Sequence, residues 1–197
     1  MQQSRIYVDG VVVPGEVTLG NLKNFKRKRK TAIWVDLVNP TSTELQLLGK
    51  ELGLHPLAID DALKGRQRAK LEHYDSHLFI NAYSASWDSV KDDLTTYELS
   101  VFVTQNAVIT VRDDDGWDIT QLTKRWDETH SLAINGVAFL LWGLLDLIVD
   151  GYFELVEKLD VEVDELEELI FTDDNSHNSE IQKRTYKLRK ALVTLRR

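Results

Sequence analysis

The sequence predicts an α/β (α+β) protein, in which a mixed sheet is followed by long C-terminal helices. Three observations support this class. Strand-like runs of β-branched and aromatic residues recur between residues 1 and 112, capped helical segments lie among them, and no proline occurs from 135 to 171. Because hairpins and helices alternate in residues 1–130, we expect helices and strands to share one core there.

The strand signals come first along the chain. RIYVDGVVV has a turn at Asp9-Gly10 between two β-rich runs, which predicts a hairpin. TAIWVDLVN (31–39) is a β-branched, apolar run typical of a strand, and residues 70–112 predict further β-structure. A short helix is possible at 18–25, and the basic run that follows it fits a solvated loop or helix end.

Two short helices have clear start signals. Thr41 and Glu44 form a capping-box pattern, and Gly53 is placed to end that helix. HPLAIDDAL (55–63) predicts a second helix opening at Pro56, because a proline at the first helical position loses no hydrogen bond. A third helix is predicted at 117–129.

Two adjacent carboxylates, Asp60 and Asp61, are the most informative feature of the second helix. At about 3.6 residues per turn they point about 100° apart, so they address different neighbours. A divalent cation would relieve the repulsion between them, whereas a solvated helix face would explain them without any ligand. Both interpretations stay open from residue types alone.

A third carboxylate, Asp146, lies within the apolar run 137–149. Burying an unpaired charge is costly, so this side chain needs a salt bridge, an exposed position or a cation. The run is predicted to be a buried core helix, because it is too short for the ~20 residues of a membrane span. His73 and His77 show ligand-like spacing, but they lie at a predicted strand start and make a poor metal pair.

The last third predicts two long helices. An acidic segment, Asp150–Asp174, precedes a basic closing helix, which predicts a helical hairpin whose apolar seam outweighs its charge pairs. The predicted seam contains leucine, isoleucine and valine at three- and four-residue steps, namely Leu155, Leu159, Val163, Leu166, Ile170, Ile181, Leu188, Leu192 and Leu195. The final helix reaches Arg197 without a stop signal, so we expect it to be truncated.

Composition excludes several classes of protein. A net charge of −8 argues against nucleic acid as a partner and suits cations, and the 197 residues contain no cysteine for disulfides or zinc–thiolate sites. The N-terminus lacks the apolar stretch of a signal peptide. We find no glycine-rich phosphate loop, G-x-S-x-G or H-E-x-x-H pattern, and therefore expect no enzyme activity.

Six segments, in chain order, carry a family resemblance. They are WVDLVNPTSTELQLL, LGLHPLAIDDAL, QRAKLEHYDSHLFI, ELSVFVTQNAVITV, the helix GVAFLLWGLLDLIVDGYFELVEKLDVEVDELEELI, and KRTYKLRKALVTLRR. Together they cover most of residues 31–197, and they resemble, in the order of the family, the cytoplasmic N-terminal domain of the CorA family of divalent-cation transporters.

The resemblance implies a fold and an assembly. Family members are homopentamers at the cytoplasmic face of the cell membrane, with a three-layer α/β/α sandwich around a mixed sheet and a stalk helix leading to two membrane spans. We therefore expect an α/β domain at 1–130, long acidic helices packing on it at 131–172, and a truncated start of the stalk at 178–197. This chain would then be a soluble fragment that lacks the spans.

The resemblance also implies a metal-sensing role. Regulatory Mg²⁺, which Co²⁺ or another divalent cation could replace, binds between neighbouring subunits of the family and favours the closed state. By this match Asp61 would ligate at one site, and Asp60 would share a second site with Asp146. A domain of a Co²⁺/Ni²⁺ or Zn²⁺ transporter is the alternative, and a metal-dependent hydrolase or a helical scaffold protein is the alternative from another class.

Overall fold

A computed structural model describes residues 2–15, 17–18, 22, 30–88, 93–171 and 178–196. The described residues form seven strands and six helices. In chain order these are β1 (Gln2–Val8), β2 (Val11–Val13), β3 (Thr31–Val38), α1 (Ser42–Leu52), α2 (Pro56–Lys64), β4 (Lys70–His73), β5 (Leu78–Asp88), β6 (Asp93–Val103), β7 (Ala107–Arg112), α3 (Thr120–Glu128), α4 (His130–Ala133), α5 (Val137–Phe171) and α6 (Asn178–Leu195). Most of the possible helix at 18–25 and of the basic run Lys26–Lys30 falls outside the described residues.

The strands form one mixed sheet in the order β2-β1-β3-β7-β6-β5-β4. Strands β3 and β7 run parallel, with Ile33 opposite Ala107. Antiparallel pairing joins β1 to β2, β1 to β3, β4 to β5 and β6 to β7. The hairpin predicted at Asp9-Gly10 is confirmed, since both residues take positive φ as a tight hairpin turn requires.

One face of the sheet is covered by α1 and α2. Alternate residues of β3 point to this face, because side chains alternate along a strand. Their apolar side chains pack with those of the two helices into one cluster, which contains Ile33, Val35, Leu37, Leu45, Leu48, Leu52, Ala58, Ile59 and Ala62. The capping box of α1 is formed as predicted, and Gly53 ends the helix in the left-handed conformation.

The other face of β3 carries Trp34 and Asp36 and meets α3. The Trp34 ring lies edge-on to Trp126 of α3, with 5.3 Å between ring centroids. Asp36 is fully buried and accepts two hydrogen bonds from the Arg112 guanidinium, at 3.1 and 2.6 Å, so its charge is paired. Helices on both faces give the predicted three-layer α/β/α sandwich, which is confirmed.

The chain divides into two compact units. The first contains Met1–Ser84 and Tyr97–Leu147, and the second contains Ala85–Thr96 and Ile148–Arg197. Strands β5 and β6 and helix α5 each contribute to both units. The three-part division at 1–130, 131–172 and 178–197 stays a prediction.

In the second unit, α5 and α6 form the predicted hairpin. Its apolar cluster contains Ala85, Leu155, Leu159 and Ala191, with Leu188 and Leu195 packed against it. Arg184 of α6 donates hydrogen bonds to Glu162 and Glu165 of α5, at 2.9 and 2.6 Å, so the opposite charges face each other as expected.

The seam differs from the prediction in its details. Leu192 is exposed, and Ala191 lies in the cluster in its place. Val163 and Ile170 are also exposed, whereas Leu166 is buried.

The apolar run at 137–149 is buried along one side only. Phe139, Leu140 and Leu144 are buried, as predicted for a core helix, whereas Trp142 and Val149 are about half exposed. The amphipathic spacing explains the difference, since residues three and four apart share a helix face.

Within the described ranges, no helix has the length and hydropathy needed to cross a membrane.

Candidate functional site

Helix α2 is fixed at both ends by local hydrogen bonds. Pro56 occupies the first turn, and His55 caps the helix by accepting the Leu57 N–H at its Nδ1, at 3.2 Å. At the other end the Gly65 N–H donates to the Asp61 carbonyl, at 3.2 Å, with Gly65 at φ +59°. The predicted start of α2 at Pro56 is confirmed, so the two aspartates sit on a well-defined helix.

Asp60 and Asp61 have different partners. Asp60 accepts a hydrogen bond from Lys64, one turn further along α2, at 2.5 Å, and both side chains are more than half exposed. Asp61 accepts one from Lys70 at the start of β4, also at 2.5 Å, and this pair is only about one quarter exposed. The two carboxylates therefore address separate neighbours, as the 100° spacing predicts.

Lys70 lies between two carboxylates. Its ammonium also donates to Glu72 at 2.9 Å, and Tyr74 donates its hydroxyl to the other oxygen of Glu72 at 2.9 Å. The hydrogen bonds to Asp61 and Glu72 raise the pKa of Lys70, and the bonds from Lys70 and Tyr74 lower the pKa of Glu72. Lys70 and Glu72 were not among the site residues predicted from the sequence, although both lie in the QRAKLE segment.

A ring stack joins this cluster to the cap of α2. The Tyr74 ring stacks with the His55 ring and with the His77 ring, with centroid distances of 4.5 and 4.9 Å. His77 is buried, and this burial lowers its pKa. His73 is exposed on β4, whereas His77 is buried.

Asp146 pairs with Arg125 of α3, at 2.5 Å, and both side chains are a little over one third exposed. The salt bridge was one of the alternatives for Asp146 in the sequence, although its partner could not be named from the pattern. Arg125 lies at a helical position in KRWDET that carries no distinguishing signal.

The donor set fits a hard cation. Asp60, Asp61 and Asp146 offer carboxylate oxygens, which Mg²⁺ prefers, and the chain offers no thiolate. Among the residues that the structure describes, no three histidine, aspartate or glutamate side chains are grouped to hold a metal within one chain. The structure does not group Asp60, Asp61 and Asp146 as a single chelate, and each has a basic partner.

The fold is similar to that of a solved structure. The soluble domain of CorA from Methanocaldococcus jannaschii superposes with a TM-score of 0.68 at 21% identity, covering 97% of this chain and 72% of that chain. This similarity confirms the predicted architecture of a mixed sheet with helices and a long C-terminal helix.

Comparison of the sequence gives the family. The model of the CorA-like Mg²⁺ transporter protein family matches residues 29–197, and the chain belongs to this family. The cobalt/magnesium transport protein CorA of Thermotoga maritima is 30% identical over 173 residues, which are 87% of this chain and 48% of that protein. CorA of Methanocaldococcus jannaschii is 24% identical over 95% of this chain and 58% of its own length.

The chain thus spans about half the length of the curated relatives it matches. These relatives are named as transport proteins, and membership in their family confirms the expectation that the chain is not an enzyme. The hydrolase and scaffold alternatives lose their support for the same reason.

Proposed function

We propose that this chain is the cytoplasmic, metal-sensing domain of a CorA-type Mg²⁺ transporter or channel. In this proposal divalent cations bind between neighbouring copies in a homopentamer at the cytoplasmic face of the membrane and favour the closed state. Asp61 contributes to one site, and Asp60 and Asp146 contribute to a second.

The observation that carries this proposal is the position of two adjacent carboxylates on a helix with both ends capped. Asp60 is half exposed, and its partner Lys64 has an even more exposed, flexible side chain. Pairs of this kind are weak because solvent screens them and both side chains lose entropy. A cation can therefore replace the lysine at little cost.

Mg²⁺ suits a site shared between two copies. It keeps several of its waters and is bound through one or two carboxylates, so one carboxylate from each copy is enough. Without the cation the facing carboxylates repel, and with it they are bridged. Regulation requires that the cation bind the closed arrangement more tightly than the open one.

A Co²⁺-responsive domain is the second candidate. The relative from Thermotoga maritima is named a cobalt/magnesium transport protein. Carboxylates accept both ions, so the residues of α2 do not separate them.

Thermal unfolding of the full 197-residue chain tests the proposal. Ligands that bind only the folded state raise the unfolding midpoint, and about 1 kcal/mol corresponds to roughly 2–4 °C for a chain of this size. We expect millimolar Mg²⁺ to raise the midpoint of the unsubstituted chain. The double substitution Asp60→Asn with Asp61→Asn should remove most of that rise.

Asp115→Asn is the matched control, because Asp115 is an exposed aspartate of the first unit, outside α2 and β4. It should respond to Mg²⁺ as the unsubstituted chain does. An equal rise in the double variant, or no rise in the unsubstituted chain, would contradict the proposal.

A further inference from the structure

The loop from Gly65 to Ala69 joins the two partners of the Asp61–Lys70 ion pair. It begins where the Gly65 N–H caps the Asp61 carbonyl, and it ends at Lys70, the first residue of β4. Because the first amide of this loop binds the Asp61 carbonyl at the end of α2, and the loop leads directly to Lys70, its conformation influences how the carboxylate and the ammonium meet. The contacts of the loop therefore bear on the proposed metal site.

One carboxylate on the sheet holds this loop. Glu98 of β6 accepts the backbone N–H of Arg66 at Oε2, at 2.5 Å, and that of Gln67 at Oε1, at 2.9 Å. Two consecutive amides thus point at the two oxygens of one charged group. Hydrogen bonds to an ionised acceptor are shorter and stronger than neutral ones.

The conformation of the loop requires such a contact. Arg66 has φ +54°, in the left-handed region, although it is not glycine. Such a residue persists only where its surroundings fix it. The two amide bonds to Glu98 supply that constraint directly at Arg66 and at its neighbour.

Side chains of β5 and β6 hold Glu98 and the loop together. Asn81 of β5 donates to Glu98 Oε1 at 3.1 Å and to the Gln67 carbonyl at 3.4 Å, and its own oxygen accepts from Ser100 at 3.0 Å. Tyr83 also donates to the Gln67 carbonyl. Burial first, and the nearby Glu98 charge second, raise the pKa of Tyr83 to about 12, so the hydroxyl remains a donor.

We propose that Glu98 is a positioning residue for the metal site: by binding the amides of Arg66 and Gln67, it fixes the loop that sets the Asp61 carboxylate against Lys70. This role rests on the proposed metal-sensing function. Glu98 itself contacts no cation in this scheme. It acts through the backbone of the loop on the geometry of Asp61.

The test uses Glu98→Gln in the full chain. Glutamine keeps the size of the side chain but removes its charge and replaces one acceptor oxygen with a donor amide. Glu128→Gln is the matched control, because Glu128 is exposed on α3 and lies 4.0 Å from its partner Lys124. Tyr83→Phe removes one bond to the loop and provides a second variant if Glu98→Gln does not fold.

Two readouts separate positioning from simple structural support. The first is the amide proton shift and hydrogen exchange of Arg66 and Gln67 by NMR. The second is the Mg²⁺ concentration that gives half of the rise in the thermal midpoint. We expect Glu98→Gln to lose the downfield amide proton shifts that bonds to a carboxylate give Arg66 and Gln67. We also expect it to lower this Mg²⁺ concentration roughly two- to fivefold, because the loop no longer holds the competing Lys70 ammonium against Asp61. Tyr83→Phe should give a smaller change, and Glu128→Gln none.

The outcomes distinguish this role from the proposed function. If the unsubstituted chain responds to Mg²⁺ and Glu98→Gln responds equally, the positioning role is overturned and the sensing function stands. If the unsubstituted chain does not respond, the sensing function falls. The thermal midpoints of Asp61→Asn, Glu98→Gln and their combination, all without metal, then decide whether Glu98 acts on Asp61. Non-additive effects support that action, and additive effects overturn it.

Discussion

The ammonium of Lys70 lies 2.5 Å from the carboxylate of Asp61, so the proposed metal ligand already has a cationic partner within its own chain. A cation that arrives at Asp61 must displace this ammonium or share the carboxylate with it. Glu72 offers Lys70 a second acceptor at 2.9 Å. Lys70 can therefore release Asp61 without losing all of its partners.

Lys70→Met should strengthen the response to Mg²⁺. The substitution removes the competing charge, while the methionine side chain can still pack near the Phe79 ring, whose centroid lies 5.5 Å from Nζ. We expect the Mg²⁺ concentration for half of the rise in thermal midpoint to fall roughly two- to fivefold, the scale of a partly exposed ion pair. Lys124→Met, at an exposed ion pair on α3, is the control and should leave this Mg²⁺ concentration unchanged. A weaker response in Lys70→Met would mean that Lys70 supports the site.

Two helical glycines should respond oppositely to alanine. A Cβ at Gly143 would lie 2.5 Å from Nε1 of the fully buried Trp126, so Gly143→Ala should lower the free energy of unfolding by about 1–3 kcal/mol. A Cβ at Gly49 would meet Ile59 at an ordinary 3.4 Å, so Gly49→Ala should raise it by up to about 1 kcal/mol through helix propensity. Urea unfolding measures both. Equal effects of the two substitutions would refute the close α3–α5 contact at Trp126.

His77 should make stability depend on pH. Burial lowers its pKa below the ordinary value of about 6.5, so between these two pKa values the unfolded chain binds more protons than the folded chain. The contribution of His77 is therefore present above pH ~6.5 and is lost as the pH falls through the folded pKa. Unfolding free energies across this range should decline more steeply for the unsubstituted chain than for His77→Phe. Parallel curves would remove His77 as the cause.

The α5–α6 hairpin should depend on its apolar cluster more than on its ion pairs. Leu159 is buried in the cluster, and Leu159→Ala should cost about 2–5 kcal/mol. Arg184→Met removes partly exposed pairs with two glutamates and should cost only about 0.2–1 kcal/mol each. Hydrogen exchange of the α6 amides measures the loss of stability in each variant. The effect of Arg184→Met should shrink at high salt. A larger loss of protection in Arg184→Met than in Leu159→Ala would reverse this ranking.

Local signals allowed much of the fold to be predicted. The turn at Asp9-Gly10, the capping box of Thr41 and Glu44, and Pro56 each depend on neighbours a few residues away. All three are found in the structure. The resemblance to the CorA family added the layer order, which no local pattern contains.

The partners of the site could not be predicted, because they come from distant parts of the chain. Arg125 and Asp146 are 21 residues apart, and Glu98 meets Arg66 across 32. The residues around Arg125 and Arg66 in the sequence do not distinguish them from arginines whose side chains are exposed to solvent. The sequence also did not show which side of α6 packs against α5. Ala191 lies in the cluster rather than Leu192, but both residues suit an apolar stripe.

Sedimentation velocity of the 197-residue chain, with and without millimolar Mg²⁺, tests most directly whether the carboxylates of α2 bind a cation between copies. We expect Mg²⁺ to shift the chain toward larger species, and we expect this shift to be lost in Asp60→Asn with Asp61→Asn but kept in Asp115→Asn. A chain whose sedimentation is the same with and without Mg²⁺, or a double variant that still associates, would contradict the proposed sensing mechanism.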